Sequence, residues 1–235
     1  MRSARLPDVL RAVLFDLDGT LVDTERESAE ALRRVMTRLG LTMTAAELDF
    51  VIGHSWLQIH EVLRRGHGPA LPLLPDLIAA SAAEREIVMA ERGVTVLPGA
   101  RAVAQRLAAH YALAIVTGSS RREARAALAA AGLADLFPLI LAAEDYSPGK
   151  PDPRGLLLAA ERLGAQPAEC LVIEDSAPGV AAGRAAGMTV VAVRIGNFAA
   201  QDQSAAHAVV ETLEAIDEAL LGRLFAPGCQ TAPVR

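Results

Sequence analysis

The sequence predicts an α/β fold: a doubly wound parallel sheet with a helical insertion after its first strand. Three observations carry that prediction. Short apolar runs without alternation stop abruptly at polar residues or glycine, as strands buried on both faces of a parallel sheet do. Helical stretches separate them, which makes βαβ units. One segment, 23–96, breaks the rhythm with helical patterns and no strand.

In chain order, residues 12–15 (AVLF) form the first strand, which stops at Asp16. The insertion follows. A helix over 25–39 ends at Gly40, and a second over 44–51 opens with a capping-box pattern, Thr44 with Glu47 three residues on. Two more cover 55–65 and 77–92. The core resumes with a helix over 100–110 and a strand over 113–116 that stops at Thr117-Gly118. A helix over 121–131 and a strand over 139–142 come next, then a helix over 153–163. A strand over 171–173 stops at Glu174-Asp175, followed by a helix over 178–186 and a strand over 189–193. The expected division is a core of 1–22 and 96–224, an insertion of 23–95, and a disordered tail of 225–235. Right-handed crossovers put the C-terminal ends of all strands on one rim. Asp16, Thr117 and Asp175 should meet there, where open α/β sheets bind ligands.

Composition sets the broad class. The chain has 235 residues, 52% hydrophobic and 22% charged, which suits a globular protein of one domain with an insertion. The net charge of −5 offers no basic field to nucleic acid. No apolar stretch is long enough for a bilayer, and the start has no apolar leader. Cys170 and Cys229 make no disulfide framework, so a cytoplasmic location is expected, and the lack of a long exposed apolar stripe suggests a monomer. Of 23 basic side chains, only Lys150 is a lysine. A bias toward arginine explains the scarcity but not the exception, which points to a place for a compact ammonium.

The strongest chemical signal is Asp16-Leu17-Asp18-Gly19-Thr20. Two carboxylates one residue apart, just past a buried strand, are costly without a cation between them. Extended backbone points them apart, so one can act as nucleophile and metal ligand and the other as acid/base. A solvated Asp-Gly loop is the other reading of these five residues alone.

The run Phe15-Asp16-Leu17-Asp18-Gly19-Thr20-Leu21-Val22-Asp23-Thr24-Glu25 resembles motif I of haloacid dehalogenase-type phosphatases, in particular the β-phosphoglucomutase-like branch of subfamily I. Three later segments resemble motifs II to IV in order: Val116-Thr117-Gly118-Ser119-Ser120, Gly149-Lys150-Pro151-Asp152-Pro153, and Val172-Ile173-Glu174-Asp175-Ser176 with Gly179 behind it. The resemblance covers about 12–195. It implies a Rossmann-like core with the insertion as an α-helical cap. Asp16 would be the nucleophile that becomes an aspartyl-phosphate, and Asp18 the acid/base. Thr117 would bind the phosphoryl group, and Lys150 would neutralise it. Mg²⁺ would bind the Asp16 carboxylate, the Asp18 backbone carbonyl and Asp175, with Glu174 nearby or through water; an oxygen-only set suits that ion.

Departures from the family patterns narrow the chemistry. Dehalogenases lack the second aspartate, present here as Asp18. Phosphonatases use a cap lysine, and 23–95 contains none. β-Phosphoglucomutases carry a histidine where Ser28 stands and an arginine where Trp56 stands, and the missing arginine removes a bidentate phosphate clamp. Hydrolysis of a small phosphorylated metabolite, a sugar phosphate, is therefore expected. A phosphosugar mutase is the alternative, and a catalytically idle binding protein on the same fold is a third. Candidate substrate contacts are Thr24, Gly53, His54, Trp56, Gly118 and Ser119. Thr24 and Ser119 also read as helix caps, Trp56 as helix packing, and His54 as an exposed loop residue.

Overall fold

The computed structural model describes residues 7–52, 54, 56–197 and 200–226. The chain divides into two compact units, Met1–Val22 with Val96–Arg235, and Asp23–Thr95.

The chain enters with β1 (Ala12–Phe15), buried throughout. The short strands β2 (Val22–Asp23) and β3 (Thr95–Val96) pair with each other where the chain passes into the second unit and back. They correct the expectation of no strand in 23–96; a two-residue strand has no periodicity to mark it. Between them lie α1 (Glu25–Arg38), α2 (Ala45–Val51), α3 (Trp56–His67) and α4 (Leu74–Arg92). The expected capping box forms: Thr44 Oγ1 accepts from the Glu47 amide at 3.2 Å, and Glu47 accepts from the Thr44 amide at 2.7 Å. Helix α4 starts three residues before its expected position, because Pro75 sits in its first turn, where no intrahelical N–H is needed. Leu32, Met36, Leu63 and Leu77, none more than 1% exposed, anchor this unit's own core.

The first unit continues with α5 (Ala100–Ala108), β4 (Ala112–Val116), α6 (Arg121–Ala130), β5 (Leu139–Leu141), α7 (Arg154–Leu163), β6 (Cys170–Glu174), α8 (Ala177–Ala185), β7 (Thr189–Val193), β8 (Ala208–Val210) and α9 (Glu218–Leu224). Its six strands run in the order β5-β4-β1-β6-β7-β8, with every neighbouring pair parallel. β1 lies between β4 and β6, so the loops after these three strands open side by side on one rim. The core is aliphatic, with Leu14, Ala114, Val172 and Val190 of four adjacent strands essentially inaccessible. β8 and α9, near the end of the first unit, have no counterpart among the expected elements. Phe225, assigned above to a disordered tail, is 6% exposed and its amide donates to the Leu221 carbonyl, so the packed core extends past Leu224. Residues 227–235 lie outside the described set.

Candidate active site

Asp16 directly follows β1, and its amide donates to the Ile173 carbonyl of β6. That bond continues the β1–β6 ladder into the loop and fixes the nucleophile candidate at the strand end. Gly19 turns the chain at φ +82°, where a side chain would be strained. A Cβ there would also lie 2.4 Å from Asp175 Oδ2. The glycine therefore lets the loop after β1 close on the loop after β6. Thr20, fully buried, seals that approach by donating from Oγ1 to Asp175 Oδ1 at 2.9 Å. Gly196, beyond β7, packs just as tightly on the Gly19 backbone.

Lys150 reaches into this group from the loop before α7. Its Nζ lies 2.5 Å from Asp16 Oδ1 and 2.5 Å from Glu174 Oε1, with all three side chains largely buried. Glu174, the last residue of β6, spends its other oxygen on three donors: the Asp175 and Ser176 amides and the Ser176 hydroxyl, at 2.8–2.9 Å. The resemblance puts Glu174 near the metal or on it through water. Both its oxygens are engaged by protein donors, so its visible task is to hold Lys150 and the β6–α8 turn. Gln203, which no pattern suggested, donates to the Asp175 carbonyl at 2.5 Å and to the Val193 carbonyl at 2.9 Å.

Electrostatics reflect this packing. Burial pushes Asp16 up to about 7; Lys150 opposes the shift, and Glu174 and Asp18 add to it. Burial, then Glu174 and Asp16, raise Asp175 well above the carboxylate range despite the Thr20 bond. Burial works against the charge on Lys150, but Asp16 and Glu174 outweigh it and hold its pKa above the ordinary lysine value. One ammonium thus serves more than one buried carboxylate, and the remaining negative charge is destabilised until a cation meets it. Among the described residues no group of three or more His, Cys, Asp or Glu side chains converges to hold a metal ion. Two carboxylates with carbonyl oxygens and water are nonetheless the donor set that suits magnesium.

Asp18 lies on the other side of the rim. Ser119 Oγ donates to its Oδ2 at 2.7 Å, and Thr117 Oγ1 approaches the same oxygen at 3.5 Å. The Ser119 amide donates to Thr117 Oγ1 at 3.0 Å, and that hydroxyl faces Asp18 Oδ2 as its acceptor. Ser120 is the cap of α6, in a capping box with Glu123. Gly118 is exposed beside them.

The structure thus brings together Asp16, Asp18, Thr117, Ser119, Lys150, Glu174 and Asp175. The remaining predicted contacts belong to the second unit and are described within it. Thr24 is buried at the start of α1 without a side-chain cap bond; Asp23 Oδ1 accepts from the Glu25 amide there. Trp56 packs against the second unit's core. His54 is exposed, stacks on Phe50 at 3.8 Å and lies 3.2 Å through Nδ1 from the Ile52 carbonyl. Gly53 lies outside the described residues.

Comparison with known proteins agrees with this rim. Residues 10–187 match the haloacid dehalogenase-like hydrolase family. The fructose-1-phosphate phosphatase YqaB of Escherichia coli K12 is 33% identical over 183 residues, 78% of this chain and 96% of that protein. The bifunctional riboflavin kinase/FMN phosphatase of Arabidopsis thaliana is 32% identical over 193 residues; the match takes in 81% of this chain and only 50% of that protein, so the chain spans half its length. The solved structure of CbbY from Rhodobacter sphaeroides in complex with xylulose-1,5-bisphosphate is 25% identical and superposes with a TM-score of 0.68, covering 87% of this chain and 95% of that one. The chain is an enzyme of the haloacid dehalogenase-like hydrolase family, in the β-phosphoglucomutase-like branch of its subfamily I.

Proposed function

We infer that this protein is a cytoplasmic, monomeric, Mg²⁺-dependent phosphatase that hydrolyses a small phosphorylated metabolite, a sugar phosphate, through an aspartyl-phosphate on Asp16. The observation that carries the reading is the Lys150 ammonium, bound at once to Asp16 and Glu174 on the strand rim. It holds the Asp16 carboxylate in place and lends positive charge where phosphoryl oxygens arrive. Thr117 donates its hydroxyl to the phosphoryl group. Asp18 protonates the leaving oxygen and then takes a proton from the water that cleaves the aspartyl-phosphate. Mg²⁺, held by Asp16, Asp175 and the Asp18 carbonyl, supplies charge neutralisation when bound. Residues 23–95 act as the cap that selects the substrate.

Hydrolysis is favoured over the mutase alternative by two side chains. Ser28 Oγ donates back to the Thr24 carbonyl at 2.8 Å, a local helix bond in place of the mutase histidine. Trp56 packs in the cap core, where a mutase carries its phosphate-clamping arginine. A relative named as a fructose-1-phosphate phosphatase and a solved relative with xylulose-1,5-bisphosphate bound support the substrate class. The test is phosphate release with Mg²⁺ across sugar phosphates, phosphoglycolate, FMN and nucleoside monophosphates, with β-glucose 1-phosphate also followed to glucose 6-phosphate. Activity on a sugar phosphate, lost with EDTA and in Asp16→Asn, is expected. Full activity in EDTA refutes the metal; activity in Asp16→Asn refutes the nucleophile; glucose 6-phosphate with little free phosphate establishes the mutase.

A further inference from the structure

We propose that Tyr146 is a positioning residue for the phosphoryl-binding end of the site, acting through the Thr117 backbone; the inference rests on the reading of Thr117 given above. Tyr146 stands in the loop between β5 and α7, four residues before Lys150. Its hydroxyl donates to the Thr117 carbonyl at 2.8 Å. Its ring packs on the aliphatic core and lies against Gly155 in the first turn of α7 so closely that a Cβ at Gly155 would meet the ring at 2.7 Å. One rigid side chain thus ties together the end of β4, which carries Thr117, and the helix that follows Lys150.

The neighbouring contacts show why that tie matters. The Thr117 amide is held by the Leu141 carbonyl, and the Ala143 amide by the Ser119 carbonyl. Both Glu144 oxygens accept from the Arg121 amide, and Arg121 also pairs with Asp145. These bonds stitch the loop after β4 to the loop after β5, and all of them stop at Asp145. Among the described residues, Tyr146 is the next link, and it carries the stitching on to α7 and the lysine loop. The Tyr146 hydroxyl orients the Thr117 peptide and, through it, the Thr117 hydroxyl and the Ser119 amide bonded to it. Lys150, Asp16 and Glu174 lie near enough to act electrostatically on the phenol, with Lys150 the strongest of the three. Tyr146 has no contact with the reacting atoms in this scheme. Its contribution is geometric, and near-attack geometry is where small displacements cost most.

The test uses the full chain, with p-nitrophenyl phosphate and Mg²⁺, and the variants Tyr146→Phe, Thr117→Ala and the double variant. Phe keeps the ring against Gly155 and removes only the hydroxyl. For Tyr146→Phe we expect kcat to fall about 10-fold, with KM within twofold and the melting temperature nearly unchanged. In the Thr117→Ala background the same change should cost less than twofold, because the group it positions is gone. A Tyr146→Phe kcat within twofold of wild type, or an equal loss in both backgrounds, overturns the proposal. A fall in kcat that only follows a large drop in melting temperature overturns it as well. If Thr117→Ala itself retains full activity, the reading of Thr117 fails and the proposal with it. If Thr117→Ala is impaired and Tyr146→Phe is not, only the proposal fails.

Discussion

Gly179 sits in the first turn of α8, where an alanine would be the better helix former, yet its missing side chain makes room for the site. A Cβ at this position would lie 1.7 Å from Glu174 Oε1 and 1.9 Å from its Cδ, against an ordinary contact of 3.4–4 Å. The oxygen in its path is the one bonded to Lys150 Nζ. Gly179→Ala must therefore move the α8 start or the Glu174 carboxylate by well over an ångström. Overpacking of this kind costs about 1–3 kcal/mol. Breaking a buried ion pair by displacing one partner costs about 3–5 kcal/mol. The two overlap, so a total of about 3–5 kcal/mol is expected, a fall in melting temperature on the order of 10 °C for a chain of this length. Loss of Lys150 alignment should lower kcat about 100-fold. Gly222→Ala in α9 is the control: its Cβ meets nothing within 4 Å, so it should be neutral or stabilising by up to about 1 kcal/mol. Thermal melts and phosphate release on both variants decide the matter. A Gly179→Ala protein that melts with wild type and turns over within twofold of it would refute the reasoning.

Asp16, raised to about 7 when folded against an ordinary 3.8, keeps a proton that the unfolded chain releases between those values. The folded state therefore binds more protons across that window, so metal-free stability should decline as pH rises from about 4 to 7 and level off above it. In EDTA, Asp16→Asn should lessen that slope and melt higher than wild type at pH 8; identical slopes in the two proteins would contradict the assignment. Thr20→Val removes the hydroxyl that holds Asp175, a loss of about 1–2 kcal/mol, and should weaken the rise in melting temperature with added MgCl₂. An unchanged Mg²⁺ response would count against that role. Lys150→Arg should be inactive, because a planar guanidinium cannot meet Asp16 and Glu174 as a compact ammonium does; turnover near wild type would overturn this.

The rim was legible because its parts sit at strand ends. Runs such as AVLF and TVVAV cannot be half-exposed strands, and the polar residue that ends each run is placed on the rim by the handedness of the crossovers. Asp16, Thr117 and Asp175 could be grouped on that basis, and Lys150 stood out by being the only lysine. Tyr146 and Gln203 could not be found this way. Each acts through a backbone carbonyl, of Thr117 and of Asp175 respectively, and a carbonyl is the same at every residue. Ser119 was read ambiguously because a serine before a helix caps it as readily as it binds a ligand. Here the tasks divide, Ser120 taking the cap and Ser119 the Asp18 carboxylate. Pairing in β2, β3 and β8 comes from neighbours distant in the chain, which a local pattern does not contain.

Glu174 and Asp175 are adjacent acids that sequence alone treats as a pair. The end of β6 separates them. Glu174 is still in the strand, 1% exposed, and its carboxylate turns to Lys150 and the following turn. Asp175 is the first residue past the strand, and its carboxylate turns to Thr20 and the loop of Asp16. Asp16, Glu174 and Asp175 with one ammonium, Lys150, give this group a formal charge of −2 when all three acids are ionised. A phosphomonoester arrives as a dianion, and a low-dielectric rim would repel it. In the proposed mechanism a divalent cation would bring this group to neutrality and leave the Lys150 ammonium within reach of the phosphoryl oxygens. On the same proposal Glu174 would act on the metal through Lys150, to which its Oε1 is bonded. By taking a share of the lysine's charge, it would leave Asp16 less than fully neutralised and so able to ligate an ion.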